Sequence, residues 1–145
     1  MSGRTASAFR GFPASRVRAS ELATLGAKLA RPQVTVRAEG KVVCEKCVVA
    51  DSPLARMRGL LGRRTLPQGE GVFLRPAASI HTFFMRFPID AVFVDADGTV
   101  VGVEPELRPW RVAGRKGAKG VLELAAGEAQ RRDVVVGGRL DPVHH

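Results

Sequence analysis

The sequence predicts an α+β fold in a single compact domain: mostly antiparallel β-sheet or a partly open barrel, with one main short helix over 52–62 and a second short helix near 128–133. Three observations carry that expectation. Apolar runs break at glycine-containing turns, Glu39-Gly40 and Asp97-Gly98, the second being a strong hairpin signal. Only 52–62 carries a full set of helix start and stop residues. The chain of 145 residues, 45% of them hydrophobic, is long enough for one domain with a real core. The globular part is expected over 33–141, behind a basic, flexible segment over 1–32.

That segment holds most of the charge. Residues 1–37 carry Arg4, Arg10, Arg16, Arg18, Lys28, Arg31 and Arg37 against Glu21, which is +6 of the net +9 and leaves +3 for the body. A body so weakly basic supplies little phosphate attraction, so no nucleic-acid binding is expected of it. No apolar run reaches the roughly 18–20 residues of a spanning helix, so no transmembrane segment is expected, and no 7–15-residue apolar stretch marks a secretory signal. The cytoplasm is the expected location, with an organelle or export as the alternative if the Arg-rich start is a targeting segment. Within it, 20–30 has the pattern of a short helix capped by Ser20 with Leu22, Leu25 and Leu29 on one side, although a loosely docked tail is the favoured reading.

Val34-Thr-Val-Arg37 and Lys41–Ala50 read as the first two strands. The second contains Cys44-x-x-Cys47, a spacing used by zinc and redox sites. In a regular strand, residues three apart face opposite sides and lie about 10 Å apart, beyond the roughly 7 Å limit for a disulfide. Two unlinked thiols are therefore expected, and no metal, because too few ligands accompany them. In 52–62, Ser52 is the cap, Pro53 the first helical residue and Gly62 the left-handed terminator. Leu54, Met57 and Leu61 form its apolar stripe, with Leu60 at the margin. Arg56, Arg63 and Arg64 lie off that stripe and serve solubility and the C-terminal dipole.

After Gly71-Val-Phe-Leu-Arg75 and Pro76, residues 81–87 read as a strand with His81, Phe83, Met85 and Phe87 on one face and Thr82, Phe84 and Arg86 on the other. Pro88 interrupts it, and Ile89-Asp-Ala-Val-Phe-Val94 resumes before the Asp97-Gly98 turn. Asp95 and Asp97 are turn residues. Asp90 is an acid inside an apolar strand, where a charge needs partners. Arg86, four residues away, is the natural one.

These residues resemble the uncharacterised bacterial and archaeal family named domain of unknown function 192. The resemblance covers roughly 34–140 and rests on Ser52-Pro-Leu-Ala-Arg-Met-Arg-Gly-Leu-Leu-Gly-Arg63, Ile80-His-Thr-Phe-Phe-Met-Arg-Phe-Pro-Ile-Asp-Ala-Val-Phe-Val-Asp95, Leu107-Arg-Pro-Trp-Arg-Val112 and Val121-Leu-Glu-Leu-Ala-Ala-Gly127. It implies one compact α+β domain, largely strands with one main helix, and no established activity. The long basic start, the Cys44-x-x-Cys47 pair and Arg131-Arg-Asp-Val-Val-Val136, where a short helix ending in Leu-Gly is more usual, depart from it. The last leaves the end of the second helix open.

Trp110, the sole tryptophan, sits between Pro109 and Arg111 in a loop and suits stacking on a ligand. If that loop folds over 81–90, a pocket forms from His81, Arg86, Asp90 and Trp110, with Phe83 and Met85 as walls and Arg108 at its margin. The leading expectation is a small-ligand or partner-binding accessory module, taking a small polar or anionic ligand or a protein partner. An enzyme using His81 and Asp90 as an acid–base pair is the alternative, and a structural or partner-docking protein the third. No nucleophile elbow, P-loop or dinucleotide motif is present, so no cofactor is expected.

Overall fold

Alternating valines make Gln33–Ala38 (β1) and Lys41–Ala50 (β2) strands, and Glu39 and Gly40, both at positive φ, turn the chain between them. The structure, a computed structural model, describes residues 32–52 and 60–142. Glu70–Leu74 (β3) follows β2 in parallel. Then come Ser79–His81 (β4), Ile89–Val94 (β5), Val100–Leu107 (β6), Val112–Gly114 (β7), Gly120–Ala125 (β8), the helical turn Glu128–Arg131 (α1) and Leu140–Asp141 (β9). One seven-stranded sheet has the order β6-β5-β8-β3-β2-β1-β9, antiparallel throughout except at β2–β3. Strands β4 and β7 pair separately.

The large sheet curls until its outer strands meet at one end. Thr99 bridges to Arg139, the Val100 N–H donates to the Gly138 carbonyl at 2.8 Å, and the Leu140 N–H donates to the Gly98 carbonyl at 2.8 Å. Asp95 fixes the β5–β6 turn there, its Oδ1 accepting the Asp97 and Thr99 N–H groups at 2.9 and 3.0 Å. Alternation along the strands, reset at the bulges, then divides the apolar residues. Val36, Cys44, Cys47, Phe73, Val92, Val94, Leu122, Leu124 and Leu140 fill the concave interior. Val72, Leu74, Ala91, Phe93, Val121 and Ala125 face the other side, where Leu60, Leu66, Ile80, Met85 and Leu107 cover them. On that side Gly102 leaves room for Arg115, whose guanidinium lies 5.3 Å from the Phe93 ring centroid and pairs with Glu104 at 3.0 Å.

Several expectations are corrected. The described residues hold nine strands and a single four-residue turn of helix, so the domain is a mostly-β, half-closed barrel, in keeping with the expected mostly antiparallel sheet or partly open barrel, whereas in place of the second helix expected near 128–133 there is only the turn Glu128–Arg131. The expected basic segment over 1–32 lies outside the described residues except for Pro32, and so do positions 53–59 of the expected main helix. At the end of that segment Leu60 is buried and Leu61 is exposed, the reverse of the expected stripe, while Gly62 does take the left-handed conformation. Residues 82–88 are not a strand: the Met85 N–H donates back to the Thr82 carbonyl at 3.2 Å and Phe84 sits at φ 65°, so the chain turns there.

The thiols are also placed differently. Val34 pairs with Cys47 and Val36 with Cys44, so two steps on β1 match three on β2. This β-bulge inserts one residue and resets the alternation. Cys44 and Cys47 therefore share the interior face, both fully buried and unlinked.

Candidate functional site

Thr82 organises the most exposed apolar surface of the domain. Its side chain is 0% exposed. The hydroxyl donates to the Arg108 carbonyl at 2.6 Å and accepts the Arg111 N–H at 2.9 Å. The Thr82 N–H donates to the Arg111 carbonyl at 2.8 Å, and the Trp110 N–H donates to the Thr82 carbonyl at 2.9 Å. One buried residue thus clamps the loop between β6 and β7 onto the turn after β4.

The clamp holds the aromatic side chains outward. Phe84 is 71% exposed, Trp110 56% and Phe83 37%. His81 stacks on Phe83 with centroids 4.9 Å apart, Phe83 on Trp110 at 5.9 Å, and Phe84 meets Trp110 at 4.7 Å. Phe84 and Trp110 both have left-handed backbones, φ 65° and 64°. A non-glycine residue in that region costs about 1–3 kcal/mol, and it persists only where surrounding structure enforces it. Here the enforcing contacts are those of Thr82. Beside the row lies an open groove of ≈ 530 Å³ lined by Glu104, Glu106, Arg108, Arg111, Val112 and Arg115 among others.

The sequence-predicted site residues divide into three groups. His81, Phe83, Arg108 and Trp110 come together around this surface, and Arg86 is exposed on the turn that carries Phe83 and Phe84. Met85 is buried beneath, part of the cluster that covers the outer face of the sheet. Asp90 is elsewhere. It pairs in register with Leu124, whose side chain points into the barrel, so Asp90 lies across the sheet from the aromatic row. Its Oδ1 accepts the Glu106 N–H and its Oδ2 the Ala129 N–H, each at 2.8 Å. The expected Arg86–Asp90 pair and the pocket shared by Asp90, His81 and Trp110 are therefore corrected: Asp90 ties the β6 bulge to the start of α1, and backbone N–H groups do the work assigned to the arginine.

Two residues escaped the sequence reading. Thr82 gives no compositional signal. Glu123 does, because it is, like Asp90, an acid inside an apolar strand. It stands opposite Val72 and Ala91 on the outer face of the sheet, 5% exposed, and among the described residues its Oε2 has no hydrogen-bond partner. Burial pushes its carboxyl up to about 8. Glu128, also buried, is the opposite case. Arg131 donates to its two oxygens at 2.6 and 3.0 Å, Arg132 adds a third contact at 3.3 Å, and the Arg131 contact first of all holds its carboxyl below the usual range.

A curled β-sheet with a pinned aromatic surface defines a mostly-β domain of uncharacterised type; among the described residues no three or more His, Cys, Asp or Glu side chains are grouped so as to hold a metal ion. The chain belongs to the DUF192 family, described as an uncharacterized ACR, whose model matches residues 34–142. A UPF0127 protein of Pyrococcus abyssi is 36% identical over 113 residues, covering 74% of this chain and 90% of its own. A UPF0127 protein of Thermococcus sibiricus is 33% identical over 111 residues, covering 72% and 71%. Two crystal structures share the fold. A Sinorhizobium meliloti protein, described provisionally as a transcription regulator, has a TM-score of 0.70 at 24% identity, over 78% of this chain and 95% of its own. A protein of unknown function from Novosphingobium aromaticivorans has a TM-score of 0.68 at 23% identity, over 80% and 96%. No helix among the described residues is long and apolar enough to cross a membrane.

Proposed function

We propose that this domain is a small-ligand-binding accessory module, and that its binding surface is the row His81, Phe83, Trp110 and Phe84 with Arg86, Arg108 and Arg111 around it. The ligand class is a planar ring carrying an anionic group. The observation that carries the reading is the outward, left-handed placement of Phe84 and Trp110 on a clamp made by a fully buried threonine. Exposed aromatic area is unfavourable in a free domain and is recovered when a flat ligand covers the rings, while the left-handed backbone, enforced by the Thr82 contacts, holds the rings ready in that outward arrangement. The arginines supply planar, charged donors for the anionic group.

The chain has one tryptophan and no tyrosine, so its emission reports this surface directly. Adenosine monophosphate, an aromatic carboxylate and a neutral hexose are titrated against the full chain while Trp110 emission is followed. The first two are expected to give saturable changes and the hexose none. Phe84→Ala should weaken the response roughly fivefold, the equivalent of about 1 kcal/mol for one lost aromatic contact. Flat emission with all three probes removes the reading.

A further inference from the structure

The bulge in β2 changes what Cys44 and Cys47 can do. Cys44 stands opposite Val36 and Cys47 opposite Val34. Two residues on a regular strand are about 6.7 Å apart, so the bulge draws the cysteine backbones from roughly 10 Å to roughly 7 Å, the upper end of the disulfide range. Both side chains enter the same interior cluster, where the Cys47 thiol contacts the Val48 carbonyl at 4.0 Å. The Cys44 thiol also reaches the Gly69 carbonyl at 3.5 Å. Gly69, Glu45 and Lys46 line an open cleft of ≈ 400 Å³, so the buried Cys44 contacts a residue of the cleft wall and is flanked in sequence by another, Glu45. Gly71 adds space, since a β-carbon there would lie 3.0 Å from the Cys44 sulfur.

The geometry points to a thiol-modification site: Cys44 and Cys47 form a reversible intrachain disulfide by exchange with small-molecule disulfides entering through the cleft beside Gly69. The step balances in two displacements. The Cys44 thiolate attacks one sulfur of the incoming disulfide, forming a mixed disulfide and releasing one small thiolate, which takes up the proton Cys44 has lost. Cys47 then loses its proton and attacks the Cys44 sulfur, forming the Cys44–Cys47 bond and releasing the second small thiol. The protein gives up two electrons and two protons, and one small disulfide becomes two thiols. Cys44 is the natural attacking group, because the neighbouring Cys47 holds the Cys44 thiol below its usual range, while Cys44 and burial together push the Cys47 thiol up. Both sulfurs are buried, so exchange follows local opening of the β2–β3 seam and is read at equilibrium rather than as a fast rate.

The test equilibrates the full chain, in native buffer, with mixtures of reduced and oxidised glutathione. Acid quench, alkylation in denaturant and intact mass spectrometry follow. The expected product at oxidising ratios is a monomer that takes up no alkyl group, has lost two hydrogens and keeps its sheet by circular dichroism. Dithiothreitol should restore two alkylatable thiols. Cys44→Ser and Cys47→Ser should instead stop at a single glutathione adduct or a free thiol. Two free thiols in the oxidised native chain, a disulfide formed only after denaturation, or disulfide-linked dimers would each overturn the proposal.

Discussion

Replacing Glu123 by Gln tests the buried carboxyl in a way that does not depend on any ligand. Glu123 is walled by Val72 and Ala91 on the neighbouring strands, and its carboxyl moves from an ordinary 4.5 to about 8 through burial. In the unfolded chain it ionises near its ordinary value. Between those two pH values the folded chain holds a proton that the unfolded chain has released, so stability falls as pH rises through the window. Below about 4.5 both states are protonated and the dependence vanishes; above about 8 both are ionised and the full cost remains. At ~1.4 kcal/mol per pH unit, the gap sets a ceiling on the order of 5 kcal/mol, which relaxation and water entry reduce to a few. Glutamine has nearly the same shape and never ionises. Urea unfolding of both proteins at about pH 5 and about pH 8.5 should give similar stabilities at the lower pH and a variant more stable by roughly 2–4 kcal/mol at the higher. A difference that stays constant with pH, or grows toward acid, refutes the assignment of a carboxyl raised by burial.

Thr82→Val removes the hydroxyl that serves the Arg108 carbonyl and the Arg111 N–H, and should cost about 1–3 kcal/mol with a shifted Trp110 emission maximum in the folded protein. Asp90→Asn turns one acceptor into a donor facing a backbone N–H, so a loss of about 1–3 kcal/mol in denaturant midpoints is expected, with probe binding at the aromatic row unchanged once the variant is folded. Gly71→Ala places a β-carbon 2.8 Å from the Glu123 carbonyl oxygen, a backbone atom that cannot swing away, and should lower stability by about 1–3 kcal/mol in thermal unfolding.

The hairpins were legible because their signals are local. Glu39-Gly40 and Asp97-Gly98 turn the chain where their residue types predict, and Asp95 and Asp97 are turn residues as read. What escaped was set by pairing between distant segments. The β2 bulge leaves no trace in composition, because it exists only in the register against β1, and it moved the cysteines onto one face. Period-two alternation over 81–87 looked like a strand, yet Thr82 finds its partners nearly thirty residues away and the chain turns to reach them. Asp90 illustrates the same limit. Its isolation in an apolar strand correctly marked a group needing partners, but those partners are backbone N–H groups of a bulge and a helical turn, invisible as residue types. Glu123 carried the same mark in Gly120–Ala125 and was legible by the same rule.

The meeting of Thr99 with Arg139 has a consequence for how copies of this domain behave toward one another. An open seven-stranded sheet would offer two rows of unpaired N–H and C=O groups, each a template for another chain's strand. Here one end of each outer strand occupies the other's row. The rest of the β6 margin carries Glu104, Pro105 and Glu106, where a proline has no hydrogen to donate and charged side chains disfavour an added strand. The domain can therefore display its aromatic row to solvent while giving neighbouring molecules few backbone positions along which to add strands and begin a fibre.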